Sequence, residues 1–202
     1  MRSLQIPIPP LCLADVAIAR PNGPWFDGSV PHEVTCRRHT RGVLLTNQND
    51  ACGWCETRIT LASSHAEHIQ PKSNSAYASL TFVTSNLIAC CGKSISSTCG
   101  HHKGDRVLAA WVHPYNTPCL EGRFIYEDDG KMCPEVNLDP ATSVEALGAI
   151  DTILNLNESV LRSKREALIN DILNSKTYLG LSSDEIFTVV GEFRSVIDQY
   201  AS

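Results

Sequence analysis

The chain has 202 residues and a mass of 22.1 kDa, enough for one hydrophobic core with an appendage and too little for two large independent domains. Hydrophobic residues at 43% and charged residues at 19% exclude the disordered, collagen-like and coiled-coil classes. A net charge of -5 argues against a simple basic nucleic-acid wrapper, but the charge is uneven: residues 1–110 hold ten Lys/Arg against seven Asp/Glu, and residues 111–202 hold seven against fifteen.

Residues 1–30 are rich in Pro and Gly and are expected to form an N-terminal arm of turns and extended pieces rather than a helix. They are not expected to act as a secretory signal, because prolines interrupt the apolar part, and the sequence shows no run of the roughly 18 apolar residues a membrane span needs. A soluble cytoplasmic protein is the expectation. In that reducing setting, cysteines at 12, 36, 52, 55, 90, 91, 99, 119 and 133 are expected as metal ligands or buried thiols rather than disulfides.

Next come a basic turn containing Arg37, Arg38 and Arg41, a strand over Gly42–Thr46, and an Asn-rich link into Cys52-x2-Cys55. Thr57–Leu61 alternates as a strand, residues 65–73 read as a short extended segment ended by Pro71, and residues 75–91 read as a small helix followed by a buried strand. Gly100–Trp111 is expected to be partly helical, with Gly104 weakening its middle. A hairpin follows, with Phe124–Tyr126 as one strand and Asp128–Gly130 as its turn.

The third part, residues 136–202, is expected as a helical extension of the 31–135 module. Ala146, Leu147, Ile150, Ile153, Leu154 and Leu156 have helical spacing behind a cap at Thr142 or Ser143. Val160, Leu161, Leu168, Ile169, Ile172 and Leu173 mark a second amphipathic helix, ending near Gly180. A terminal helix capped by Ser182 or Ser183 carries Ile186, Phe187, Val190, Phe193 and Ile197 on one side.

Two sets of residues carry chemistry. Cys52 and Cys55, with Cys91 and Cys99, offer four thiolates to one structural zinc, since a two-residue gap lets a single turn present two sulfurs to the same ion. Cys90 is an alternative to Cys91. Between the two pairs lie His65, Glu67 and His68, and beyond them His101 and His102. A carboxylate beside a histidine, joined by a later histidine, can hold a hard divalent cation while another imidazole activates water. Additional zinc ligation or plain surface exposure explains the same histidines equally well. The spacing is not that of an H-E-x-x-H zinc protease. Cys36 and His39 also have ligand-like spacing, and a local or surface role is preferred for them.

In order and context, C-x2-C-E, H-A-E-H-I-x-P-K-S, N-L-I-A-C-C and C-G-H-H-K-G-D resemble the HNH nuclease superfamily, and most closely the PtuB-type nucleases of Septu and retron-associated anti-phage defence systems. The resemblance covers roughly residues 50–172. It implies an α+β fold in which a zinc-stabilised ββα-metal module is followed by the helical extension. It also implies His68 as general base, Glu67 as ligand to a catalytic Mg2+ or similar ion, and Asn86 as the central asparagine that steadies the loop. The family's last histidine is replaced by Gly100, so His101 or His102 would take its place, with His102 preferred. His65 would serve as metal ligand, substrate contact or strand support; strand alternation puts it on the face of Glu67, opposite His68. Lys72, Lys93, Lys103 and Arg106 are the expected phosphate contacts, with Arg37, Arg38 and Arg41 as a second basic patch. The implied partners are DNA and a PtuA-like ATPase, the latter docked on the acidic C-terminal helices. The competing reading is a non-catalytic zinc-knuckle protein that binds nucleic acid or scaffolds a complex.

Overall fold

The computed structural model describes residues 1–26, 29–92, 97–174 and 176–201. Helices α1 (Leu11–Ala19) and α2 (Pro31–Asn47) precede strands β1 (Ser64–His68) and β2 (Leu87–Cys91), which pair antiparallel with Ser64 opposite Cys91 and His68 opposite Leu87. A one-and-a-half-turn helix α3 (Cys99–Lys103) packs on β2. A second antiparallel pair, β3 (Phe124–Tyr126) and β4 (Met132–Pro134), leads into α4 (Pro140–Leu147), α5 (Ser159–Asn174), α6 (Ser183–Val190) and α7 (Arg194–Tyr200). The result is a mixed α+β fold with two small sheets, whose apolar core runs continuously from Leu13 and Leu44 through Trp54 and Ile88 to Ile150, Leu161 and Ile197. Among the described residues no helix is long and apolar enough to cross a membrane.

The strands at the centre agree with the sequence reading, as do the Phe124–Tyr126 hairpin and the helical content after residue 136. Upstream of β1 the structure corrects it. The arm contains α1, because the nine residues between Pro10 and Arg20 have no Gly or Pro and Leu13 is wholly buried. Cys12 and Cys36 form a disulfide that ties α1 to α2, so not every cysteine is a ligand or free thiol. The expected strand over Gly42–Thr46 is the end of α2. Its apolar residues extend a stripe that begins upstream, with Glu33, Cys36, Thr40 and Leu44 all buried at helical spacing, and Pro31 opens the helix where a missing N–H costs nothing.

Thr57–Leu61 is likewise not a strand. One isolated bridge joins Ala51 and Arg58, with Cys52 N donating to Thr57 O at 2.8 Å and Ile59 N to Asp50 O at 2.7 Å. Its free edge is already taken: Arg58 N donates to the Glu192 carboxylate and Phe193 N to Glu56 O. The C-terminal turn therefore sits directly on the cysteine knuckle, and the Glu56 carboxylate completes the joint by accepting from Ser195 N at 2.8 Å and Ser195 Oγ at 2.5 Å.

In the C-terminal part the caps differ in detail. Asp139, not Thr142 or Ser143, caps α4, accepting from Ala141 N and Thr142 N with Pro140 at the first helical position. Ser182 and Glu185 form a reciprocal capping box on α6. The expected single terminal helix breaks at Gly191–Phe193, where both residues have positive φ (71° and 55°), and the break lets Phe193 bury its ring.

Candidate functional site

Cys52 and Cys55 come from the knuckle, Cys91 from the end of β2 and Cys99 from the first residue of α3. Their four sulfurs are buried and lie within 4.8 Å of one another. Zinc–sulfur bonds of about 2.3 Å set the sulfur–sulfur edge of a tetrahedral site at roughly 3.8 Å. The 3.9 Å between Cys52 Sγ and Cys99 Sγ already matches that edge, so the cluster is compatible with a structural zinc. A hydrogen bond from Cys52 is the main cause that brings the Cys91 thiol down to about 5, towards the thiolate that a metal requires. Cys90, the alternative, falls outside the group of four although its sulfur also lies 3.9 Å from Cys52 Sγ; it accepts from Gly100 N at 3.2 Å, and burial pushes up its thiol and that of Cys99 alike. Among the described residues this is the one set of three or more ligand side chains gathered at a common point.

The four sulfurs join the knuckle, the end of β2 and the start of α3, and that junction lays α3 against the face of β1 carrying Glu67. Glu67 rests on Gly100, where a Cβ would come within 2.9 Å of the carboxyl carbon, so any side chain there would displace it. One carboxylate oxygen lies 3.3 Å from His65 Nε2, and the other accepts from Lys103 Nζ at 3.2 Å. Lys103, expected at the phosphate, is 1% exposed and makes its second bond to Gly104 O at 3.1 Å. Glu67, His68, Pro71, Lys72, Gly100, Lys103, Gly104 and Asp105 line a polar cavity of about 140 Å³.

His68 is 5% exposed, and its Nε2 donates to the Thr81 carbonyl at 3.0 Å in the neutral tautomer this contact selects. Burial is the largest cause of a pKa lowered to about 4, with the Thr81 bond opposing it, so the imidazole is neutral at pH 7. Trp25 stands edge-on to the ring at 4.7 Å and stacks on Phe82. Asn86 is buried and locks the loop after β1: it accepts from Gln70 N at 2.7 Å and donates to Gln70 O at 3.1 Å and Leu80 O at 3.3 Å. Trp25 and Thr81 are contacts that sequence reasoning missed. A Trp-Phe pair in a segment read as turns was the only signal for the first, and a backbone carbonyl leaves none.

The structure separates the two late histidines. The His101 ring lies 4.6 Å from that of His65, whereas His102 donates to Thr152 O at 3.2 Å, away from Glu67. Arg106 is exposed but engaged, bonding the carbonyls of His102, Lys103 and Thr152. Lys72 is exposed beside the cavity, and Lys93 lies outside the described residues.

No family model matches the chain. It is 28% identical over 140 residues to a protein of Vibrio cholerae serotype O1 biovar El Tor described as a candidate HNH endonuclease of retron Vc95, an alignment covering 68% of this chain and 66% of that protein. The aligned region thus spans just under two thirds of the relative's length, and the likeness is a link at superfamily level.

Proposed function

We propose that the chain is a metal-dependent HNH endonuclease that hydrolyses phosphodiester bonds of DNA, with β1, β2 and α3 as its ββα-metal module. The observation that carries this reading is the meeting of Glu67, His68 and Lys72 at one polar cavity, between strands and a helix pinned by four cysteines. The HNH-named relative supports it from the sequence side.

The Thr81 carbonyl occupies His68 Nε2, which leaves Nδ1 as the basic atom of a neutral imidazole. That nitrogen takes a proton from water as the water oxygen attacks phosphorus; the bond to the departing 3′ oxygen breaks, and that oxygen is protonated from solvent. Lys72 meets the phosphate from the open side. Glu67 with His65 are the residues that would hold a divalent cation, and their 3.3 Å separation suits two ligands of one ion. Such an ion supplies charge neutralisation at the phosphate and the leaving oxygen. Gly100 contributes no ligand, so substrate oxygens and water would complete the shell. The cysteine zinc is structural, because four thiolates leave no open position.

In this reading the protein is the effector nuclease of an anti-phage defence complex, with a PtuA-like ATPase as partner. The Lys103–Glu67 pair favours the other reading, a non-catalytic zinc-knuckle subunit, because it already neutralises the carboxylate. The two are separated by incubating the full chain with plasmid, linear DNA and RNA, with and without Mg2+ or Mn2+ and with and without the ATPase. Divalent-dependent DNA cleavage supports the enzyme; no cleavage under every condition supports the scaffold.

A further inference from the structure

Of the charge expected at the phosphate, Lys103 is buried against Glu67, and the exposed Arg106 is held by three backbone carbonyls. The cations of α2 are held less: among the described residues only Arg41 makes such a bond, to the Ser64 carbonyl. Arg37, Arg38 and Arg41 stand at i, i+1 and i+4, so they share one flank of the helix, beside the buried Cys36, Thr40 and Leu44 stripe. Some surface cations have carboxylates, such as Arg20 with Glu33 and Arg194 with Asp184 and Asp198; among the described residues these three have none, as is also true of Lys72 and Arg106, and what sets them apart is that they cluster on one helix flank.

Their mutual repulsion is therefore uncompensated. Burial and then the nearby charges of Arg37 and Arg38 lower the Arg41 guanidinium below its ordinary value. Two buried polar atoms at the same place also lack hydrogen-bond partners, Arg41 Nε and the hydroxyl of Ser64. A polyanion along the flank would relieve the repulsion.

α2 packs on β1 and β2, and the bond from Arg41 Nη1 to Ser64 O at 3.2 Å gives the position of this flank relative to the cavity. Ser64 opens β1 and His68 closes it, and at about 3.3 Å per residue the two are roughly 13 Å apart. Along one strand of a duplex, at about 3.4 Å per nucleotide, that span is on the order of four nucleotides.

We propose that the Arg37–Arg38–Arg41 flank of α2 is a track for the sugar–phosphate backbone of nucleic acid, engaging it on the order of four nucleotides from the phosphate at His68. This inference rests on the nuclease reading and adds the surface that holds its substrate. Guanidinium contacts to phosphate position the strand without reading bases, so the track is sequence-independent.

The test uses the full-length His68→Ala protein, without added divalent cation so that the duplex stays intact, and a fluorescein-labelled duplex followed by anisotropy over a range of salt concentrations. Each of R37Q, R38Q and R41Q is expected to reduce the slope of log K against log salt by about 0.9, and the triple variant by about 2.7, whereas R106Q leaves it unchanged. Because Arg41 bonds Ser64, the R37Q/R38Q double variant serves as the arm with no bond lost, with an expected reduction of about 1.8. In the His68 background the same double variant raises KM and keeps kcat. An unchanged slope in the double variant overturns the track and leaves the flank to an acidic protein surface; failure of the parent to bind the duplex overturns it as well. Arginine-dependent binding without any cleavage by wild type leaves the track standing and removes the catalytic reading. Cleavage with arginine-independent binding removes the track alone.

Discussion

Replacing Lys103 by Met keeps the aliphatic volume and removes one charge from a nearly sealed position. The ammonium is 1% exposed and sits 3.2 Å from Glu67 Oε1, where attraction at an effective dielectric of about 20 is roughly 5 kcal/mol before desolvation is counted. Breaking one side of a fully buried pair costs about 3–5 kcal/mol. Glu67 keeps His65 and faces a cavity with room for water, so the expected loss is smaller, about 2–3 kcal/mol, or roughly 4–12 °C in Tm for a chain of this size. Urea unfolding of K103M, E67Q and the double variant measures it. The double variant should recover part of the K103M loss, because no unpaired buried charge remains. Mn2+ should stabilise K103M more than wild type, since a freed carboxylate binds cations that Lys103 otherwise displaces. A K103M protein within about 0.5 kcal/mol of wild type and indifferent to Mn2+ would refute the argument that this pair governs the site.

Cys99→Ser removes a ligand from the cluster that joins knuckle, β2 and α3, and a structural zinc contributes on the order of 10 kcal/mol to folding. The variant, or wild type treated with a strong chelator, should lose cooperative unfolding and release or fail to hold zinc; an unaltered melt contradicts the assignment. Asn86→Ala deletes two buried hydrogen bonds to Gln70 and a part-buried one to Leu80 O, and should cost about 2–4 kcal/mol by urea titration. His68 gives a pH signature. Its folded pKa of about 4 lies below the ordinary 6.5, so the unfolded chain binds the extra proton first; the stability it contributes is whole above pH 6.5 and is lost as pH falls through about 4. Urea titrations of wild type should lose stability across that window and those of His68→Asn should lose less, while equal losses would show that His68 does not set the slope.

What the sequence made legible was local. Cys52-x2-Cys55 is a turn and a ligand pair by spacing alone, and the alternation in His65–His68 places His65 and Glu67 on the same face before any coordinates exist. What it hid depends on long-range placement. The Gly42–Thr46 strand was misread because its apolar run is too short to reveal a period without Cys36 and Thr40, which look like polar or ligand positions until the α1–α2 packing buries them. Thr57–Leu61 alternates as a strand does, but its edge is filled from residues 192 and 193, far along the chain. The same holds for charge. Lys103 and Arg106 look free in a sequence, and only the packing of α3 shows one bound to Glu67 and the other to carbonyls. His102 was preferred over His101 on motif position, but α3, held at Cys99, turns His101 towards His65 and His102 towards Thr152.

The central claim is that His68 is the base of a nuclease site, and its most direct test is single-turnover cleavage of plasmid DNA by wild type and His68→Ala in Mg2+ or Mn2+, with matched circular dichroism and zinc content. The account predicts that wild type nicks or linearises the plasmid and that His68→Ala is slower by at least about 100-fold while remaining folded. Cleavage by the two proteins at the same rate would contradict it.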